Sequence, residues 1–118
     1  MTRKKASYYL RRIYRLLDDE DAVLKLKKYA KMDIAGEAHV DEKEMIVDPR
    51  QDLAAAIVHE ALHILYGNLT HINHPGSIYD VDNGECSSWI RKTEEGICNA
   101  LTVRQWRNLL FRIGNKLY

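Results

Sequence analysis

The chain of 118 residues contains only two cysteines and two prolines. Two cysteines are too few for a disulfide scaffold or a four-thiolate zinc site, so Cys86 and Cys98 are expected to be reduced thiols. Low-complexity tracts are also absent, and a composition of 46% hydrophobic and 30% charged residues is typical of a globular protein rather than a disordered one. The length predicts a single domain over residues 1–118 with one hydrophobic core.

Long hydrophobic runs are missing as well. No apolar stretch approaches the length that crosses a bilayer, and the segment MTRKKASYYLRRIY carries charges where a signal peptide has its apolar stretch. These absences predict a cytoplasmic protein with no membrane partner. The formal net charge is +1, so no overall field attracts nucleic acid. Nucleic acid stays an alternative partner only through the basic residues of the N-terminal segment, which are Arg3, Lys4, Lys5, Arg11, Arg12 and Arg15.

The spacing of apolar residues in the first half predicts a helix and a small sheet. A helix is expected over residues 7–17, with Ser7 as its N-cap. Alternation around Leu24 and Leu26, and the short segments 33–40 and 44–47, predict three strands that pair antiparallel in part. Together with the helices that follow, these elements predict an α+β fold.

The second half is expected to be helical, with one long connection. Asp48 and Pro49 should begin a helix that ends at Gly67. A polar, turn-rich excursion over residues 68–88 then leads to a helix over residues 88–101. Thr102 followed by Gln105 forms a capping-box pattern that predicts a separate C-terminal helix.

The stretch AAAIVHEALHILYG, residues 54–67, places three ionisable side chains inside an apolar helix. His59 and His63 are four residues apart, so on a helix they stand one turn above the other and can direct two imidazole nitrogens at one ion. Glu60 lies at the same edge, where it can accept a proton from a water that the metal activates. Buried polar groups are costly without a partner, which a metal would supply. The pattern predicts a Zn²⁺ site with Glu60 as the catalytic base.

A catalytic zinc needs a third protein ligand and an open position. The metzincin pattern is excluded because Tyr66 and Leu69 stand where its glycine and third histidine belong. The remaining candidates are His71 and His74 in the excursion, Cys86, and the acidic pair Glu94 and Glu95.

The motifs HEALH at 59–63 and EEGICN at 94–99 resemble those of the gluzincins, the metallopeptidases whose third ligand is a glutamate on a second helix. Gluzincin motifs of the form Asn-Glu-Gly or Asn-Glu-x-x-x-Asp align Glu95 with the ligand and Asn99 with its supporting residue. Glu94 stands where asparagine is usual. The order and size of the elements resemble the single-domain minigluzincins.

This resemblance implies a zincin-like fold with an N-terminal helix, a three-stranded sheet, an active-site helix, a glutamate helix and a C-terminal helix. It also implies a zinc metallopeptidase, active or latent, in which His59, His63 and Glu95 hold the ion and Asn99 orients a ligand. A latent form could be obstructed by the C-terminal residues 114–118.

Segments near the motif indicate a substrate class and leave two alternative functions open. If strand 44–47 is an exposed edge, it can align a polypeptide substrate by main-chain hydrogen bonds. Tyr79, His71 or His74 could donate to the oxyanion or contact the substrate. A third histidine ligand would instead indicate an SprT-like protease, and a zinc-stabilised module that binds nucleic acid or protein without turnover is the other alternative.

Overall fold

The structure, a computed structural model, describes residues 1–30, 36–73 and 85–117. Within these ranges the chain forms four helices and a small mixed sheet, which confirms the predicted α+β class. The elements in chain order are α1 (Arg3–Asp18), β1 (Val23–Leu26), β2 (Gly36–His39), β3 (Glu44–Val47), α2 (Leu53–Asn73), α3 (Glu85–Ala100) and α4 (Val103–Leu117).

Helix α1 begins four residues earlier than its apolar pattern predicts. Thr2 is the N-cap, and its hydroxyl accepts a hydrogen bond from the backbone N–H of Lys5 at 3.1 Å. The expectation of a cap at Ser7 was therefore wrong. Ser7 lies inside the helix, where its hydroxyl accepts a hydrogen bond from the Gln105 side chain at 2.9 Å.

The sheet has the strand order β1-β3-β2, with β1 parallel and β2 antiparallel to β3. Partly antiparallel pairing is thus confirmed. Strand β3 is central, so the condition that residues 44–47 form an exposed edge is not met. The reason is the parallel pairing of β1 with β3, which leaves β2 at the edge that lies beside α2.

Helix α2 begins and ends later than predicted. Asp52 caps it by accepting from the N–H of Ala55 at 3.2 Å. Asp48, the expected cap, is fully buried and bound to Arg50 instead. The helix continues past Gly67 to Asn73, because a glycine permits a left-handed helix end without requiring one.

The last two helices agree more closely with the sequence. Helix α3 starts three residues before the predicted position. The capping box of α4 is confirmed, since the Thr102 N–H donates to Gln105 Oε1 at 2.9 Å and the Gln105 N–H donates to Thr102 Oγ1 at 3.2 Å.

Helix α4 packs against α1 and β1. The Tyr14 hydroxyl donates to the Gln105 carbonyl at 3.1 Å, and Lys116 Nζ donates to the Asp19 carbonyl at 2.6 Å. Residues 114–117 are therefore the end of a packed helix, and the obstruction of the site by residues 114–118 stays a prediction. Tyr118 lies outside the described residues.

Helix α2 is the centre of the fold, because it contacts the sheet on one side and α1 and α3 on the other. Its residues Ile57, Val58, Ala61 and Leu62 are all 0% exposed. None of the described helices is long and apolar enough to cross a membrane.

Candidate metal centre

The described part of the chain contains a potential metal-binding group formed by three residues of α2, His59, Glu60 and His63. The two histidines are partly buried, and Glu60 is only 5% exposed. Their positions follow from the apolar faces of α2: burial of the flanking aliphatic residues leaves these three side chains along one edge of the helix. One potential ligand atom from each residue lies within 4.8 Å of the others.

The Nε2 atoms of the two imidazole rings face each other. His59 Nε2 lies 3.3 Å from His63 Nε2, and the ring centroids are 4.9 Å apart. Glu60 Oε1 lies 3.9 Å from His59 Nε2. Two nitrogens and one carboxylate oxygen therefore converge on one small volume.

Glu94 of α3 contacts the other nitrogen of His59. Its Oε2 lies 3.3 Å from His59 Nδ1. A carboxylate only accepts hydrogen bonds, so this contact places the proton of a neutral imidazole on Nδ1 and leaves a lone pair on Nε2. Helix α3 thus selects the tautomer of His59 in which Nε2 faces His63.

The surrounding charges favour a cation at His59. Burial disfavours the protonated ring, but the hydrogen bond with Glu94 and the negative charges of Glu60 and Glu94 outweigh that effect and raise the pKa of His59. The same negative environment would attract a metal cation.

The donor set suits zinc in both chemistry and spacing. Imidazole nitrogen and carboxylate oxygen are common ligands of Zn²⁺. With Zn–N bonds of about 2.0–2.1 Å in tetrahedral geometry, two ligand nitrogens lie about 3.3–3.4 Å apart. The separation of 3.3 Å between His59 Nε2 and His63 Nε2 agrees with that spacing.

Of the two candidate glutamates, Glu94 is the one that contacts a histidine of the site. Glu95 is exposed, and so is Asn99, which was expected to support it. Ile90 and Ile97 are buried on the inner face of α3, and Glu94 lies four residues after the first and three before the second. That spacing puts Glu94 on the inner face and turns Glu95 away. The roles of Glu95 and Asn99 stay predictions, but this orientation does not support them.

The structure does not describe the side chains of the remaining candidates. His74 and Tyr79, and the side chains of His71 and Cys86, lie outside the described residues. The backbone of His71 belongs to α2, contrary to its expected place in a loop. At 1.5 Å per residue, it lies about 12 Å along the helix axis from His63.

Two residues near Glu60 were not identified from the sequence. They are Tyr29, which follows β1 and whose phenol is within reach of the Glu60 charge, and Gly36 of β2. A glycine inside a strand can indicate close approach of another group, and a Cβ on Gly36 would lie 3.2 Å from Glu60 Cγ. Tyr29 had no comparable signal, because its proximity depends on how β1 and β2 are arranged.

An aromatic cluster joins α1 to the helices of the site. The ring centroid of Tyr66 lies 5.7 Å from that of Tyr9 and 5.5 Å from that of Trp89, and the guanidinium of Arg12 lies 5.3 Å above the Tyr66 ring. Tyr66 is one turn beyond His63, so these contacts help to fix α2 next to α3.

Comparison with protein-family models, curated proteins and solved structures finds no match for this chain.

Proposed function

We propose that the protein is a zinc-dependent metallopeptidase whose site is formed by His59, Glu60, His63 and Glu94. The observation that carries this proposal is the convergence of His59 Nε2 and His63 Nε2 at 3.3 Å beside the buried carboxylate of Glu60. A divalent cation held by the two histidines would place positive charge next to that carboxylate.

Each residue of the site has a separate task. His59 and His63 would hold the ion through their Nε2 atoms, while Glu94 contacts Nδ1 of His59 and fixes its tautomer. When bound, zinc supplies Lewis acidity that makes water nucleophilic at neutral pH and polarises a carbonyl. Glu60 accepts the proton of the attacking water and returns it to the leaving amine nitrogen. This assignment replaces Glu95 with Glu94 as the glutamate of the second helix.

A polypeptide is the substrate class that suits the surroundings of Glu60. Among the described strands, β2 is hydrogen-bonded on one side only, to β3. Its first residue, Gly36, lies directly against Glu60. An extended peptide that pairs with the open edge of β2 would therefore be aligned beside the general base.

The test combines metal analysis with a cleavage assay. Protein purified without added metal should contain or take up one Zn²⁺ per chain. It should cleave a denatured protein, lose that activity after chelation and regain it with zinc. Glu60→Gln should retain zinc and lose cleavage, since the amide cannot accept the proton. Glu95→Gln is the matched control, because it makes the same chemical change at an exposed position of α3.

Two results would contradict the proposal. Failure of the folded parent protein to bind zinc at neutral pH would remove the metal site. Equal cleavage by the parent and Glu60→Gln would remove Glu60 from the role of general base.

A further inference from the structure

The Lys and Arg residues of the chain are concentrated on α1 and α4. Six lie on α1 and four on α4, out of 18 in the whole chain. Of the 17 Asp and Glu residues, only Asp18 belongs to these two helices, and it is paired with Arg112 of α4. The formal net charge of +1 is therefore the sum of a strongly basic pair of helices and an acidic remainder.

The two helices pack side by side and run in the same direction. Near the start of both, the Gln105 side chain donates to the Ser7 hydroxyl at 2.9 Å. Further along both, Arg112 pairs with Asp18. Because the two contacts occur in the same order on each helix, α1 and α4 are parallel.

Helix α1 carries an exposed stripe next to this contact, formed by Lys4, Tyr8, Arg11 and Arg15. Their spacing of i, i+4, i+7 and i+11 puts them on one face of the helix. Tyr8 is 48% exposed. None of the three cations has an ion pair with a described residue. The stripe borders α4, since Ser7 and Asp18 each lie three residues after one of its members.

Helix α4 repeats the pattern with Arg104, Asn108, Phe111 and Asn115, which have the same spacing and are all exposed. Phe111 is 70% exposed. This stripe also borders the contact, because Gln105 and Arg112 directly follow two of its members. Both stripes are solvent-exposed and flank the same helix contact, so they form one surface, which we call the α1–α4 surface.

We propose that the α1–α4 surface binds single-stranded nucleic acid. The cations of the α1 stripe, which spans about 16 Å along the helix axis, would contact the phosphates. Phe111 and Tyr8 would stack on unpaired bases, and the amides of Asn108 and Asn115 would hydrogen-bond to base edges. Bases in a duplex are already stacked on each other, so the exposed aromatic rings favour a single strand.

The composition of the surface favours nucleic acid over other partners. A second copy of the chain would bring two basic surfaces together, and like charges repel. An acidic protein would account for the cations but not for an aromatic ring placed between two amides. An anionic membrane would bury apolar side chains beneath the cations. The neighbours of Phe111 along the stripe are instead Asn108 and Asn115, while Leu110 lies outside the stripe.

The first measurement is the salt dependence of binding. Fluorescence anisotropy follows the titration of the full-length protein into a labelled oligothymidylate of about 20 nucleotides. The logarithm of the binding constant should fall linearly with the logarithm of the salt concentration. The double variant Arg11→Gln, Arg15→Gln should reduce the magnitude of the slope by about 1.4, since each phosphate contact contributes about 0.7 for a single strand.

The matched control is the double variant Lys28→Gln, Lys92→Gln. It makes the same change in net charge at two exposed positions outside α1 and α4, so the slope should stay as in the parent.

The second measurement tests stacking. Phe111→Ala should weaken binding by about 5-fold or more, as the loss of one base–aromatic contact does. Leu110→Ala removes an exposed apolar side chain from the same helix and should leave the affinity unchanged. A duplex of the same length should bind more weakly than the single strand. Circular dichroism checks the folding of every variant.

Four results would overturn the inference. They are a folded parent that does not bind the oligonucleotide at low salt, equal losses in the stripe variant and its charge-matched control, equal losses in Phe111→Ala and Leu110→Ala, and equally strong competition by polyglutamate. Binding to phosphatidylserine vesicles without binding to the oligonucleotide would identify a membrane surface instead. The candidate metal centre belongs to α2 and α3, so these measurements need no zinc and do not depend on the proposed peptidase.

Discussion

Glu94 Oε2 lies 3.3 Å from His59 Nδ1, the ring nitrogen that points away from His63. The contact joins α3 to α2 and sets the orientation of the imidazole. A carboxylate bound to the outer nitrogen of a ligating histidine is a common arrangement at zinc sites, where it makes the ligand more basic. Glu94 therefore sets the orientation of His59 in the candidate site without any metal.

The first prediction concerns zinc affinity. Glu94→Ala should weaken zinc binding by about 10- to 100-fold, because it removes the group that orients His59. Glu95→Ala removes the same charge from an adjacent exposed position and should change affinity little. Competition with a chelator measures both, with circular dichroism as the check on folding. If Glu95→Ala lost more zinc affinity than Glu94→Ala, Glu95 would be the ligand, as the gluzincin resemblance implies.

The second prediction compares two glycines. Gly36→Ala should lower the free energy of unfolding by about 1–3 kcal/mol, since its methyl group has to displace the Ile46 carbonyl or Glu60. Gly114 has open space around a Cβ, and Gly114→Ala in α4 should raise stability by about 0.5–1 kcal/mol. Urea denaturation of the two variants provides the measurement. Equal effects of the two substitutions would contradict the close approach of β2 to Glu60.

The third prediction concerns acid stability. The Arg50 side chain, together with the N–H groups of Arg50 and Tyr29, holds the pKa of Asp48 well below its usual value. The unfolded chain, with an Asp pKa of about 3.9, therefore binds a proton first as the pH falls. The stabilisation from Asp48 is complete above this value and is lost as the pH falls toward the folded-state pKa.

Asp48→Asn should consequently lower Tm by at least several degrees at neutral pH. It should also lose less stability than the parent between about pH 6 and about pH 3. Thermal melts across this range test both effects. Parallel stability curves for the two proteins would show that Asp48 does not carry the acid sensitivity.

The fourth prediction concerns the C-terminal end of α4. Removing residues 114–118 deletes the bond from Lys116 to the Asp19 carbonyl and the packing of Leu117 on the core. The truncated protein should have a lower Tm and no gain in cleavage. A stable, more active truncation would support the obstructing tail that the sequence suggested.

The sequence correctly predicted those structural elements whose formation depends on residues close together in the chain. The capping box of Thr102 and Gln105 closes as expected, and the short strand 44–47 forms where its apolar residues predicted it. Whether that strand lies at an edge did not follow from the sequence, because its pairing depends on β1, about twenty residues earlier in the chain. Asp48 failed as a cap for a similar reason: Arg50 and the Tyr29 backbone bind its carboxylate.

Only part of the candidate site could be predicted from the sequence. His59, Glu60 and His63 follow from helical spacing alone, and the structure brings them together. The choice of Glu95 came from its following glycine, and its role stays a prediction. The spacing of Ile90 and Ile97 places Glu94 on the face of α3 that contacts α2, because burial of the isoleucines determines which carboxylate faces that helix.

The contact between α1 and α4 has a consequence for biosynthesis. Ser7 and Tyr14 bond to Gln105, 98 and 91 residues further along the chain. At roughly 5–20 residues per second, the ribosome makes α4 on the order of ten seconds after α1. During that interval the apolar face of α1 lacks its contact with α4, so the nascent chain is more open to aggregation or chaperone binding before α4 emerges.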